Sequence, residues 1–120
     1  MKINGFAHVM LTAGNSEKCK AFYARICEAM GMKPLIDTND WLYCIGGRTA
    51  FGIVDGAEEH SGERFVQQRV GLHHLCFRAR TREDVDEFHD LLQELGALVV
   101  HPPQEDEWAP GYYMRLKDQE

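Results

Sequence analysis

Six histidines and four cysteines are the side chains of this 120-residue chain best suited to holding a metal ion or moving a proton near neutral pH. Two of the histidines are adjacent, in "RVGLHHLCFRA" (69–79), a run that otherwise reads as a buried strand. Side chains alternate along a strand, so His73 and His74 point to opposite faces and at most one of them shares a face with Leu72 and Cys76. A comparison of the chain with itself sorts the pair. At an offset of 66, "GFAHVMLTAGNSEKCKAF" (5–22) lies above "GLHHLCFRARTREDVDEF" (71–88), matching Gly5 with Gly71, His8 with His74, Ala13 with Ala79, Glu17 with Glu83 and Phe22 with Phe88. His74 therefore has a counterpart, His8, whereas His73 is matched by Ala7. If Val9 and Leu11, matched by Leu75 and Phe77, pack against helices, His8 and His74 share the opposite face with Phe6, Met10, Thr12, Leu72, Cys76 and Arg78. Two imidazoles on equivalent strands approach one another if the halves pair about a pseudo-twofold axis, and such a pair suits a divalent metal.

The elements that must position these residues repeat as well. "FAHVMLT" reads as a strand, and "NSEKCKAFYARICEAMG" sets Cys19, Phe22, Tyr23, Ile26 and Met30 at helical spacing before Gly31 as a stop. In the second half Thr81 and Asp84 form a capping pair, Val85, Phe88, Leu92 and Leu95 form the apolar stripe, and Gly96 closes the helix. The offset falls to 65 at Met30-Gly31 and Leu95-Gly96, as though one helix were a residue shorter. "MKPLIDTND", "WLYCIGG" and "TAFGIVDG" are three short strands after the first helix, broken at Asn39-Asp40 and Gly46-Gly47. "GAEEHSGERFVQQ" (56–68) is a polar connection, and "ALVVHPP" and "YYMRLK", separated by the loop "QEDEWAPG", begin the three-strand pattern again. The expectation is one domain over 1–120, with a βαβββ module over about 1–55, a linker over about 56–68 and a second module over about 69–120.

Bulk properties narrow the function. A net charge of −6 with no Lys/Arg run argues against nucleic acid as a partner. No apolar stretch approaches the roughly 20 residues of a membrane span, and "MKINGFAHVML" lacks the features of a signal peptide, so a cytoplasmic location is expected. Cys19, Cys27, Cys44 and Cys76 show no CxxC spacing and read as reduced thiols, Cys76 as a small core thiol two residues from His74. His73, His89 and His101 read as structural residues, His60 as solvated in an acidic linker, and the acidic run 105–107 as a solvated loop.

The order of "AHVML" and "HHLCF" opening two βαβββ modules, followed by "LQELGALVVHPP" and "PGYY", resembles the vicinal oxygen chelate superfamily, the glyoxalase/bleomycin-resistance/dioxygenase fold. The resemblance implies an α+β fold in which the paired modules form an incompletely closed mixed sheet around a cavity, with the helices outside. It also implies a divalent metal (Zn, Ni, Mn or Fe) held by a His from the first strand of each module and a carboxylate from a last strand. His8 and His74 match the histidines; the carboxylate has no match. "GYYMRLKDQE" either approaches a turn before a last strand that is missing from the chain, which is the favoured reading, or "MRLK" is itself the last strand and Lys117 stands at the ligand position. In the first module "AFGIVDG" has no carboxylate within the strand, and Asp55 reads as a turn residue.

Two imidazoles and a carboxylate leave metal positions open to a substrate with two adjacent oxygens, which suits isomerisation, epimerisation, glutathione addition or, with Fe(II), ring cleavage. Arg78 is a candidate for binding a substrate carboxylate or phosphate, or for a sheet-rim ion pair. Met10, Trp41, Trp108 and Tyr113 are candidates for an apolar pocket. The first reading is thus a metal-dependent glyoxalase-like enzyme of lyase, isomerase or dioxygenase type acting on a small molecule. The alternative is a metal-free binding protein of the bleomycin-resistance type. Exposed sheet edges give the chain a motive to associate, and a homodimer is expected.

Overall fold

Alternation in "HVMLTA" is realised as β1 (His8–Ala13), with His8, Met10 and Thr12 outward and Val9, Leu11 and Ala13 inward. The computed structural model describes residues 1–108 and 110–117. Helix α1 (Ser16–Ala29) follows, its N-terminus capped by the Asn15 side chain, which accepts from the Lys18 amide. Strands β2 (Lys33–Asp37), β3 (Trp41–Gly46) and β4 (Thr49–Asp55) complete a four-stranded mixed sheet of order β1-β4-β3-β2, in which β1 and β4 are parallel. The inward face buries Leu42, Cys44, Phe51 and Ile53 in one cluster with Cys19 and Cys27 of α1. A single 3₁₀ turn, Glu58–His60, ends this part of the chain. These elements belong to one compact unit, Met1–Arg64; Phe65–Gln119 forms a second.

The second unit holds helix α2 (Arg82–Glu94), β5 (Leu98–Glu105) and β6 (Tyr112–Lys117), the two strands pairing antiparallel. The Thr81–Asp84 capping box is present: the Thr81 hydroxyl accepts from the Asp84 amide at 3.1 Å, and the Asp84 carboxylate accepts from the Thr81 amide at 3.0 Å. Pro102 and Pro103 lack amide hydrogens, and the β5 ladder is irregular between His101 and Gln104.

The repeat extends to the way the helices end. Gly31 and Gly96 have φ of +73° and +70°, values that glycine adopts without a Cβ clash. After each glycine the next amide donates back to the helix, Met32 to the Cys27 carbonyl and Ala97 to that of Leu92, so both helices close in the same Schellman motif. α1 has 14 residues and α2 has 13, which accounts for the change of offset.

The α+β class is as expected, and neither sheet closes into a barrel among the described residues. One element differs. Residues 69–79 enter no strand ladder among the described residues, and all are exposed, Leu72, Leu75 and Phe77 included. In the first unit β1 is held by its ladder with β4. Among the described residues of the second unit no strand corresponds to β4, so 69–79 has apolar alternation without a partner. Cys76 is accordingly exposed rather than a core thiol.

Candidate functional site

The register places three rows of side chains across the outward face of the first sheet. His8, Ala50, Ile45 and Lys33 form one row, Met10, Gly52, Tyr43 and Ile36 the next, and Thr12, Val54 and Trp41 a third. This face is open, with Met10 36%, Trp41 39% and Ile45 42% exposed. The His8 ring meets Tyr43 edge-on at 6.2 Å between centroids, and Tyr43 meets Trp41 at 6.3 Å. The His8 side chain makes no hydrogen bond or ion pair among the described residues, so its ring nitrogens remain available on a mainly apolar surface. Gly52 is the centre of that surface: a Cβ there would lie 2.6 Å from the Met10 sulfur, so glycine lets the thioether cross β4.

Tyr43 is the site residue that the sequence reading passed over. Its signal was the alternation of "WLYCI", which puts Trp41, Tyr43 and Ile45 on one face and Leu42 and Cys44 on the other.

The other candidates lie in the second unit. His74 is exposed, and its Nδ1 is 2.7 Å from Nδ1 of His73, which Gln67 Nε2 approaches at 3.2 Å. The predicted opposition of His73 and His74 is therefore not found; without a ladder no pleat fixes the two side chains on opposite faces. Arg78 is exposed and makes no ion pair among the described residues. Trp108 is 94% exposed, its amide donating to Asp106, and Tyr113 is half-buried with its hydroxyl accepting from Gln104. Of the remaining histidines, His89 and His101 are half-buried, and exposed His60 lies 2.7 Å from Glu63 Oε1.

β6 pairs antiparallel with β5, as β3 does with β2, and Lys117 is its last residue. Residues 118–120, on which the turn reading rests, and Ala109 in the preceding loop lie outside the described residues. In the first unit the outward positions of β4 are Ala50, Gly52 and Val54, and Asp55 is exposed at the strand end. Imidazole nitrogen is a donor type that suits a divalent ion. Among the described residues no group of three His, Cys, Asp or Glu side chains is placed to hold one.

A cleft of about 520 Å³ lies elsewhere in the first unit, lined by Glu17, Lys20, Ala21, Ala24, Asp37, Asn39 and Leu42. Leu42 and Asp37 belong to the helix-facing side of the sheet, and Lys20 of α1 approaches Asp37 at 3.7 Å. The cleft is thus on the face opposite His8. No helix among the described residues is long and apolar enough to cross a membrane.

Residues 5–120 match the model of the Glyoxalase/Bleomycin resistance protein/Dioxygenase superfamily, which defines a class of proteins. The chain belongs to that family. Among solved structures it is similar to a Bacillus halodurans protein described as a glyoxalase, with 26% identity over 79% of this chain and 71% of that one, at a TM-score of 0.72. It is also similar to lactoylglutathione lyase from Agrobacterium tumefaciens, at 18% identity, 99% and 89% coverage and a TM-score of 0.68. A third is a mutant of the fosfomycin resistance protein FosX from Listeria monocytogenes bound to Mn(II) and a dihydroxypropylphosphonic acid, at 18% identity, 98% and 84% coverage and a TM-score of 0.66. The last two likenesses are of fold alone. No curated protein sequence matches the chain.

Proposed function

We propose that this protein is a metal-dependent enzyme of lyase, isomerase or dioxygenase type acting on a small molecule that chelates a divalent ion through adjacent oxygens, with His8 and His74 as ligands. The observation that carries the reading is His8: an imidazole on an open, largely apolar sheet face, without a hydrogen-bond partner among the described residues, at a position the repeat duplicates as His74. The Mn(II) and the dihydroxy compound bound to FosX supply a precedent within the fold. When bound, the ion supplies a Lewis acid to the oxygen pair. The protein's own part is positional: the His8 ring sits T-shaped to Tyr43, and the Met10 thioether crosses β4 at Gly52 on the same face.

Protein purified without chelator is expected to carry Zn, Ni, Mn or Fe, and His8→Ala and His74→Ala each to lower the bound metal, as read by elemental analysis. Metal content unchanged in both variants rules the reading out. The absence of a carboxylate from the outward positions of β1, β3 and β4 favours a second reading, a metal-free binding protein. A metal-free preparation that still binds small ligands in both His variants selects it.

A further inference from the structure

The contact between the adjacent histidines decides which ring nitrogen of His74 carries the proton. Gln67, six residues before His73, stands in a turn closed by the Arg69 amide, which donates to the Val66 carbonyl at 3.0 Å. Gly71, at φ +145°, then takes a backbone conformation that residues with a Cβ rarely adopt. The half-buried Gln67 side chain sets its Nε2 3.2 Å from His73 Nδ1, and His73 Nδ1 lies 2.7 Å from His74 Nδ1. One nitrogen, His73 Nδ1, is thus shared by both contacts.

An amide nitrogen only donates, so the ring nitrogen it approaches is an acceptor and carries no proton. A proton on His73 Nδ1 would face the amide hydrogens of Gln67. The hydrogen in the contact between the rings therefore belongs to His74, whose Nδ1 donates to His73 Nδ1. A neutral imidazole has one N–H, so the lone pair of His74 is left on Nε2, which makes no hydrogen bond among the described residues. We infer that Gln67 and His73 are positioning residues for His74: their relay of hydrogen bonds fixes its proton on Nδ1 and presents Nε2 as the electron-pair donor. The use of Nε2 toward a metal rests on the metal-dependent reading, whereas the placement of the proton does not. A metal-binding histidine ordinarily donates its other ring N–H to a carboxylate, a backbone carbonyl or water, and here the acceptor is a second imidazole.

The tautomer is read from long-range proton–nitrogen NMR correlations of the imidazole rings in metal-free protein at about pH 9, where histidine is neutral. His74 is expected in the Nδ1–H form. Gln67→Glu should reverse it: a carboxylate only accepts, His73 Nδ1 must then carry the proton, and His74 is left protonated on Nε2. His73→Ala should remove the preference of His74 for one form, and His73→Asn, which returns an acceptor oxygen close to the place of Nδ1, should restore it. His74 protonated on Nε2 in the parent, or a tautomer unchanged in both Gln67→Glu and His73→Ala, overturns the inference. Zn(II) affinity is expected to fall about tenfold in His73→Ala and to recover in His73→Asn; an affinity unchanged in His73→Ala overturns the positioning role. The Nδ1–H form in a protein whose metal content does not respond to His8→Ala or His74→Ala upholds the proton placement while the metal reading fails. Metal lost in both of those variants, with His74 protonated on Nε2 in the metal-free parent, does the reverse.

Discussion

Gly52 is the residue whose replacement reports most directly on the candidate site. An added Cβ would meet the Met10 Sδ at 2.6 Å and the backbone carbonyl of Leu42 at 2.8 Å. The thioether can swing aside, but the carbonyl belongs to the sheet. Gly52→Ala is expected to lower stability by about 1–3 kcal/mol in urea unfolding. Met10→Ala in the same chain should recover only part of that loss, because the Leu42 contact remains. Full recovery would place the strain in the side chain alone. The His8 face was legible in the sequence because alternation and an internal match both mark His8. The role of Gly52 was not, since the clash depends on cross-strand register and a side-chain path that no local pattern encodes.

At the scale of elements, the two helices were readable almost to the residue, because their ends are local chemistry. Thr81 and Asp84 satisfy each other's amides, and Gly31 and Gly96 supply the left-handed turn. Thr81→Ala is expected to cost about 1 kcal/mol and to speed amide exchange in the first turn of α2 more than in its last. Uniform acceleration along the helix would mean that the cap is not what holds that end. Farther along, α2 is tied to its sheet by polar contacts: Arg82 lies over the Tyr112 ring and pairs with Glu105, and the Tyr112 hydroxyl donates to Asp86 at 2.6 Å. That hydrogen bond to the Asp86 carboxylate raises the Tyr112 pKa above its ordinary value. The strand predicted over 69–79 failed for a non-local reason. Apolar alternation records which side would be buried, whereas a ladder needs a neighbour, and the counterpart of β4 is not among the described residues of the second unit.

At the scale of the molecule, the two units differ sharply in what they bury. Eleven of the twelve buried apolar residues among those described belong to the first unit, and only Leu92 to the second. α1 covers a four-stranded sheet, α2 a two-stranded one, and two strands offer too little surface to close a core over a helix. The free energy of local opening follows burial, so the α1 core should be among the last parts of the first unit to open. The sulfur atoms are distributed along the same division: Cys19, Cys27 and Cys44 are buried in the first unit, and Cys76 is exposed in the second. Burial lifts the Cys27 thiol to about 12, with Cys44 beside it adding to the rise, so in the closed state it offers almost no thiolate to a reagent. The chain therefore carries its own stopwatch. Under mildly alkaline iodoacetamide one adduct is expected first, on Cys76, and three more together and far later, in proportion to how often the α1 core opens. Adducts appearing on all four thiols at once in the mass spectrum would show that the first unit offers no such protection.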